Sequence, residues 1–201
     1  MRATKLAEEK VLRRLTEVFR ERGYQGASYA LLMAATGLVK ASLYHRFPGG
    51  KEEMVDVVLS QVDREFLEYV LRPAREAGPP EKRVRQIARR LREFYRSGNG
   101  WCLLDTLTLA SNIRTLRHAK RSMEFWIESF AHVARETGMS RSRARRQAED
   151  AVAAIEGGLI VSRVMKNRRP FLRALATLPN RLTKAVGNGR CDDGLSMKLR
   201  T

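Results

Sequence analysis

The sequence predicts an all-α protein: a three-helix head containing a helix-turn-helix, joined to a larger helical domain. Three observations carry this. Apolar residues recur at three- and four-residue steps along most of the chain. Few segments alternate with period two, and β-branched residues are sparse. Glycines and prolines interrupt the pattern at intervals that leave helices of ordinary length between them.

The first helix is the stripe Leu6, Val11, Leu12, Leu15, Val18 and Phe19, running from Lys5 to Arg22. Gly23 follows where a C-terminal glycine belongs. Ser28 offers an N-cap to a short helix over 29–35, broken by Thr36-Gly37. A second short helix over 40–46 stops at Pro48-Gly49-Gly50, and a long one follows over 51–71, closed by Arg72-Pro73. Further helices are expected over 80–97, 101–111, 114–137, 141–166 and 168–185. Their breaks are Gly78-Pro79-Pro80, Gly98-Asn99-Gly100, Thr137-Gly138 and Pro170. Residues 187–201 show no periodicity and read as a loose tail. The expected organisation is a head at 1–50, a helical domain at 51–186 and that tail.

The 201 residues carry a net charge of +17, so nucleic acid is the first partner to consider. The charge does not say where such a partner docks. Residues 1–72 hold 12 Lys and Arg against 10 Asp and Glu; residues 73–201 hold 27 against 12. No apolar run reaches the roughly 18 residues of a membrane span. The start of the chain turns acidic at Glu8-Glu9, too early for a secretory signal. Cys102 and Cys191 form neither a disulfide framework nor a metal-ligand spacing. A soluble cytoplasmic protein with no metal and no cofactor is expected. An enzyme is not: there is no nucleophile–base pair and no phosphate loop, and His45, His118 and His132 are scattered.

The segment "LVKASLYHRFPGGKEEM" carries the functional signal. Two short helices joined by a glycine-containing turn form a helix-turn-helix. Leu32, Ala35, Leu38, Leu43 and Phe47 pack against the first helix in this reading. The second short helix is left with an outward face of Lys40, Ala41, Ser42, Tyr44 and His45. A helix of that size fits the major groove of DNA, and these side chains can donate to base edges or phosphates. Lys51 stands at the next helix N-terminus, where free N–H groups attract a phosphate.

"GYQGASYALLMAATGLVKASLYHRFPGGKEEMV", from Gly23 to Val55, resembles the DNA-binding signature of tetracycline-repressor-family regulators. The matching positions are Gly23-Tyr24, Ser28, Gly37, Lys40, Leu43-Tyr44-His45, Phe47 and Lys51-Glu52. "GWCLLDTLTL" and "AIEGGLIVSRVMKNRRPFLRALATLP" resemble the C-terminal domain of one branch of that family. That branch includes regulators of multidrug-efflux and flavonoid-responsive genes. The resemblance implies a homodimer whose heads bind a palindromic double-stranded operator. A small molecule in the larger domain, aromatic or amphipathic, shifts the fourth helix and releases the DNA. Ser28 and Lys51 are implied on phosphates. The chain departs from the pattern at Val39, where Ser is usual, at Ala27, where Thr is common, and at Leu31, usually polar. A basic DNA-binding protein with little sequence preference and no effector is the alternative.

Two further sets of residues are expectations. Trp101, Leu104, Thr108, Trp126 and Phe130 are candidates to line an effector pocket, with Asn112 or His118 orienting a polar end; the same aromatics could equally fill a core. Val152, Ile155, Leu159 and Ser162 lie on one helical stripe and, with the family likeness, suggest a dimer seam to which Phe171 and Leu175 contribute. An intramolecular core helix is the other reading of that stripe. Cys102 reads as a small buried hydrophobe, and the run Arg141 to Arg146 as solvated surface.

Overall fold

A computed structural model of the chain describes residues 2–100, 102–103 and 113–184. Eight α-helices are described: α1 (Arg2–Gly26), α2 (Tyr29–Thr36), α3 (Lys40–Arg46), α4 (Gly50–Glu65), α5 (Pro80–Phe94), α6 (Ile113–Arg135), α7 (Arg141–Val164) and α8 (Arg169–Thr183). The helix expected over 101–111, apart from Cys102 and Leu103, and the tail 187–201 lie outside the described residues.

Two apolar cores organise the chain. The head core joins Val11, Leu15 and Phe19 of α1 to Leu32 of α2, Leu43 of α3 and Phe47. Met54, Val55, Val58 and Leu59 of α4 complete it. The first three turns of α4 thus pack into the head core. The second core packs α5, α6, α7 and α8 around Ile87, Leu91, Phe130, Ile155 and Phe171, all fully buried. Gly158 permits the tightest approach in it, since a Cβ there would stand 3.0 Å from the Phe171 backbone.

The chain beyond α4 does not run on as one α-helix to residue 71. Phe66–Leu71 forms a π-helical turn and Arg72–Arg75 a 3-10 turn. Arg83 then locks this bend. Its guanidinium, 5 % exposed, donates to the carbonyls of Ala74 (3.1 Å) and Glu76 (3.0 Å) and pairs with Glu136 at the end of α6. No helix among the described residues is long and apolar enough to cross a membrane.

The six side chains expected at a dimer seam lie in the interior of the single chain. Val152, Ile155, Leu159, Ser162, Phe171 and Leu175 are all buried within the single chain, between α7, α8 and the helices beneath them. Ser162 is spent there too, its hydroxyl accepting the N–H of Phe171 at 3.1 Å. The apolar stripe is the inward face of α7. The outward face carries its own exposed set: Ile160, Val161, Val164 and Met165.

Candidate nucleic-acid interface and regulatory cavity

The turn between α2 and α3 is built from local chemistry. The Ser28 hydroxyl accepts the N–H of Leu31 at 3.3 Å and so caps α2. Gly37 ends α2 in the left-handed region at φ 73°, its N–H on the Met33 carbonyl at 2.8 Å. The Thr36 hydroxyl donates to the Leu32 carbonyl at 2.7 Å and accepts the N–H of Leu38 at 3.3 Å. α3 starts at Val39 with no side-chain cap.

Leu43 and Phe47 anchor α3 from below. Lys40, Ala41, Tyr44 and His45 are then exposed on one side, with Ser42 half-buried. Arg46 is exposed beside them and was not among the expected contacts. Tyr44 does not project freely. Its ring stacks on Tyr29 of α2, 5.4 Å between centres at 17°. A hydrogen bond to Tyr44, more than slight burial, raises the Tyr29 phenol above its ordinary pKa. The Lys40 ammonium lies 5.9 Å from both ring centres. Gly50, at φ 67°, leaves room for this pair, since a Cβ there would stand 3.0 Å from the Tyr29 hydroxyl. Lys51 sits 4.5 Å over the ring of Tyr24 at the start of α4. The structure thus brings Lys40 and Tyr44 together, adds Tyr29 to them, and sets Lys51 on a second tyrosine. Tyr29 escaped sequence reading because no helical period links it across the turn to Tyr44.

The second site is a cavity of about 260 Å³ between the two cores. Leu59, Val62 and Leu103 form its head side. Its far side is aromatic: Phe66 packs edge-to-face on Trp126 at 4.9 Å and on Phe94 at 5.3 Å. The π-helical turn that begins at Phe66 helps set this wall, as both Phe66 and Leu67 face the cavity. Polar groups are few. Oδ2 of Asp63 on α4 meets Nε2 of His118 at 2.6 Å and accepts the hydroxyl of Ser122, both on α6. Arg121 stands exposed at the mouth. Arg20 reaches in from α1, where burial pulls its guanidinium pKa below the usual value against the attraction of Glu65. Tyr95, fully buried, is pushed well above the normal phenol range by that burial and by Cys102, and stays protonated.

Of the expected lining residues, His118 and Trp126 stand in the wall. Phe130 lies behind it, fully buried and edge-on to Trp126 at 6.0 Å. Trp101, Leu104, Thr108 and Asn112 fall outside the described residues. Asp63, Ser122 and Arg20 were missed, since Asp63 and His118 are 55 residues apart in the chain. Among the described residues no cluster of His, Cys, Asp or Glu could hold a metal ion.

Comparison with known proteins places this geometry. Residues 11–58 match the profile of bacterial regulatory proteins of the tetR family, and residues 80–177 that of the C-terminal domain of LmrA/YxaF-like transcriptional regulators. The HTH-type transcriptional regulator LmrA of Bacillus subtilis is 26% identical over 186 residues, covering 89% of this chain and 97% of that protein. The uncharacterised HTH-type regulator YxaF of the same organism is 22% identical over 180 residues, covering 86% and 93%. Among solved structures, a TetR transcriptional regulator from Legionella pneumophila superimposes with a TM-score of 0.79 at 19% identity, covering 88% of this chain and 97% of that one. A TetR-family regulator from Agrobacterium tumefaciens gives 0.77 at 18% identity, covering 90% and 99%.

Proposed function

Because the chain belongs to the TetR family of DNA-binding transcriptional regulators, which are not enzymes, we propose that it represses transcription from a palindromic operator as a homodimer. A small aromatic or amphipathic effector in the cavity releases it. The observation that carries this is the exposed face of α3. Lys40, Ser42, Tyr44 and His45 are turned outward by the burial of Leu43 and Phe47. Such a helix enters the major groove with its first residues toward base edges. Lys51 and Ser28 lie beside it for phosphates.

A dimer needs a surface, and the outward face of α7 supplies one. Gly157, Ile160, Val161 and Val164 follow the three- and four-residue steps of one helical face. Val164 is 73% exposed, and a Cβ at Gly157 would meet nothing within 4 Å. The seam of this proposal is that face, and not the inward stripe.

Release follows from α4, which completes the head core with Met54 to Leu59 and lines the cavity with Leu59, Val62 and Asp63. An effector acts only if it binds the DNA-incompetent arrangement more tightly.

The test is selection from random duplexes at about 150 mM salt, with wild type and Tyr44→Ala side by side. The expected result is a palindromic consensus that the variant loses. Enrichment of no sequence, with binding that vanishes as salt rises, points to a sequence-tolerant basic DNA-binding protein instead.

A further inference from the structure

Arg20 belongs to the head, yet its side chain lines the cavity, with the guanidinium carbon 5.7 Å from the ring centre of Phe94. Leu15 and Phe19, on the same helix, are fully buried in the head core, so the backbone that carries Arg20 is fixed there. Nε of Arg20 is buried and has no hydrogen-bond partner. The indole Nε1 of Trp126, another lining residue, is in the same condition. A buried donor left unpaired is costly, and a charged one more so. Native structures rarely leave such groups without a reason.

Both orphan groups are donors, sealed beneath the cavity surface. The carboxylate in the wall, Asp63, is already engaged by His118 and Ser122. Glu65 attracts Arg20 through space, but its Oε1 takes the side-chain amide of Gln61. Two guanidinium groups, Arg20 and Arg121, thus face one occupied carboxylate, and the rest of the wall is largely apolar. Among the described residues, the wall holds no second carboxylate.

We propose that the cavity takes an aromatic carboxylic acid, its ring among Phe66, Phe94 and Trp126 and its carboxylate on Arg20, so that the DNA-binding head itself grips the ligand. This rests on the effector reading above and adds to it a ligand class and a second route of control. A guanidinium and a carboxylate match in shape and charge, and the pair is stronger out of water. Arg121 at the mouth draws the anion in. Once bound, the acid is tied to α1 through Arg20, besides touching α4.

The test uses the full chain, 2-naphthoate, and its neutral counterpart 2-naphthalenemethanol, with binding measured by calorimetry. Wild type is expected to prefer the acid by about tenfold or more, the scale of a charge-assisted hydrogen bond. Arg20→Met should erase that preference and leave the alcohol's affinity in place, Arg20→Lys should restore part of it, and Trp126→Phe should weaken the acid more than the alcohol. Naphthoate at a concentration that just releases the selected duplex from wild type should fail to release it from Arg20→Met. Equal affinity of wild type for acid and alcohol overturns the proposal, and needs no variant to fold. An undiminished preference in folded Arg20→Met overturns it too, as does acid binding that leaves operator affinity untouched. If neither compound binds wild type, the effector reading of the cavity falls, and this inference with it.

Discussion

Tyr29 and Tyr44 stack at 5.4 Å across the helix-turn-helix, and Gly50 is the residue that makes room for them. The side chain best placed on the proposed recognition face is therefore oriented by one from the preceding helix. Tyr44→Ala should cost operator affinity by about 1–3 kcal/mol, the worth of a good base contact. Tyr29→Phe keeps the ring but removes the hydroxyl bond, and should cost several-fold. In the double variant the two losses should not add, because they share one interaction. Anisotropy titrations of the selected duplex measure all three; strict additivity would show that the stack does not position Tyr44.

Gly50 and Gly37 make a matched pair of tests. Both have positive φ, 67° and 73°, so Ala at either costs about 1–2 kcal/mol of backbone strain. At Gly37 nothing lies within 4 Å, and the loss should end there. At Gly50 the new methyl meets the Tyr29 hydroxyl. Thermal melts should show both variants destabilised. Operator affinity of the folded protein should fall for Gly50→Ala alone.

Arg83 and Glu136 join the bend after α4 to the far end of α6. Arg83→Ala leaves two carbonyls without their donor and the exposed Glu136 without its partner. The expected loss is about 1–3 kcal/mol, read from chemical denaturation. Arg83→Met, which refills the space, should lose less.

The proposed seam can be separated from the core on a single helix. Val161 is exposed and Ile155 fully buried on α7. Val161→Glu should yield folded monomers in sedimentation and lose operator binding. Ile155→Glu should instead fail to fold. A dimeric Val161→Glu protein would move the seam elsewhere.

Much of this was legible in the chain. Val11, Leu12, Leu15, Val18 and Phe19 repeat at helical steps, and Gly37 and Gly50 mark the turns, so the helices of the head are legible from pattern. The seam is not. Periodicity finds an apolar stripe, such as Val152-Ile155-Leu159, but cannot tell whether its own chain or a partner covers it. Nor are the cavity's polar groups, because Arg20, Asp63 and His118 meet only after three distant helices pack. The break of α4 at Phe66 has no proline or glycine to announce it.

The shared ownership of α4 sets a rule for engineering this protein. Met54, Val55, Val58 and Leu59 finish the head core from a helix that the sequence assigns to the other domain. A chimera spliced at residue 50 would transplant half an interior and leave Phe19 and Leu43 facing unfamiliar side chains. A graft carried through Val62 moves that interior whole and brings one wall of the cavity with it. Operator choice and ligand choice are therefore not independently exchangeable parts here; to borrow one is to inherit some of the other.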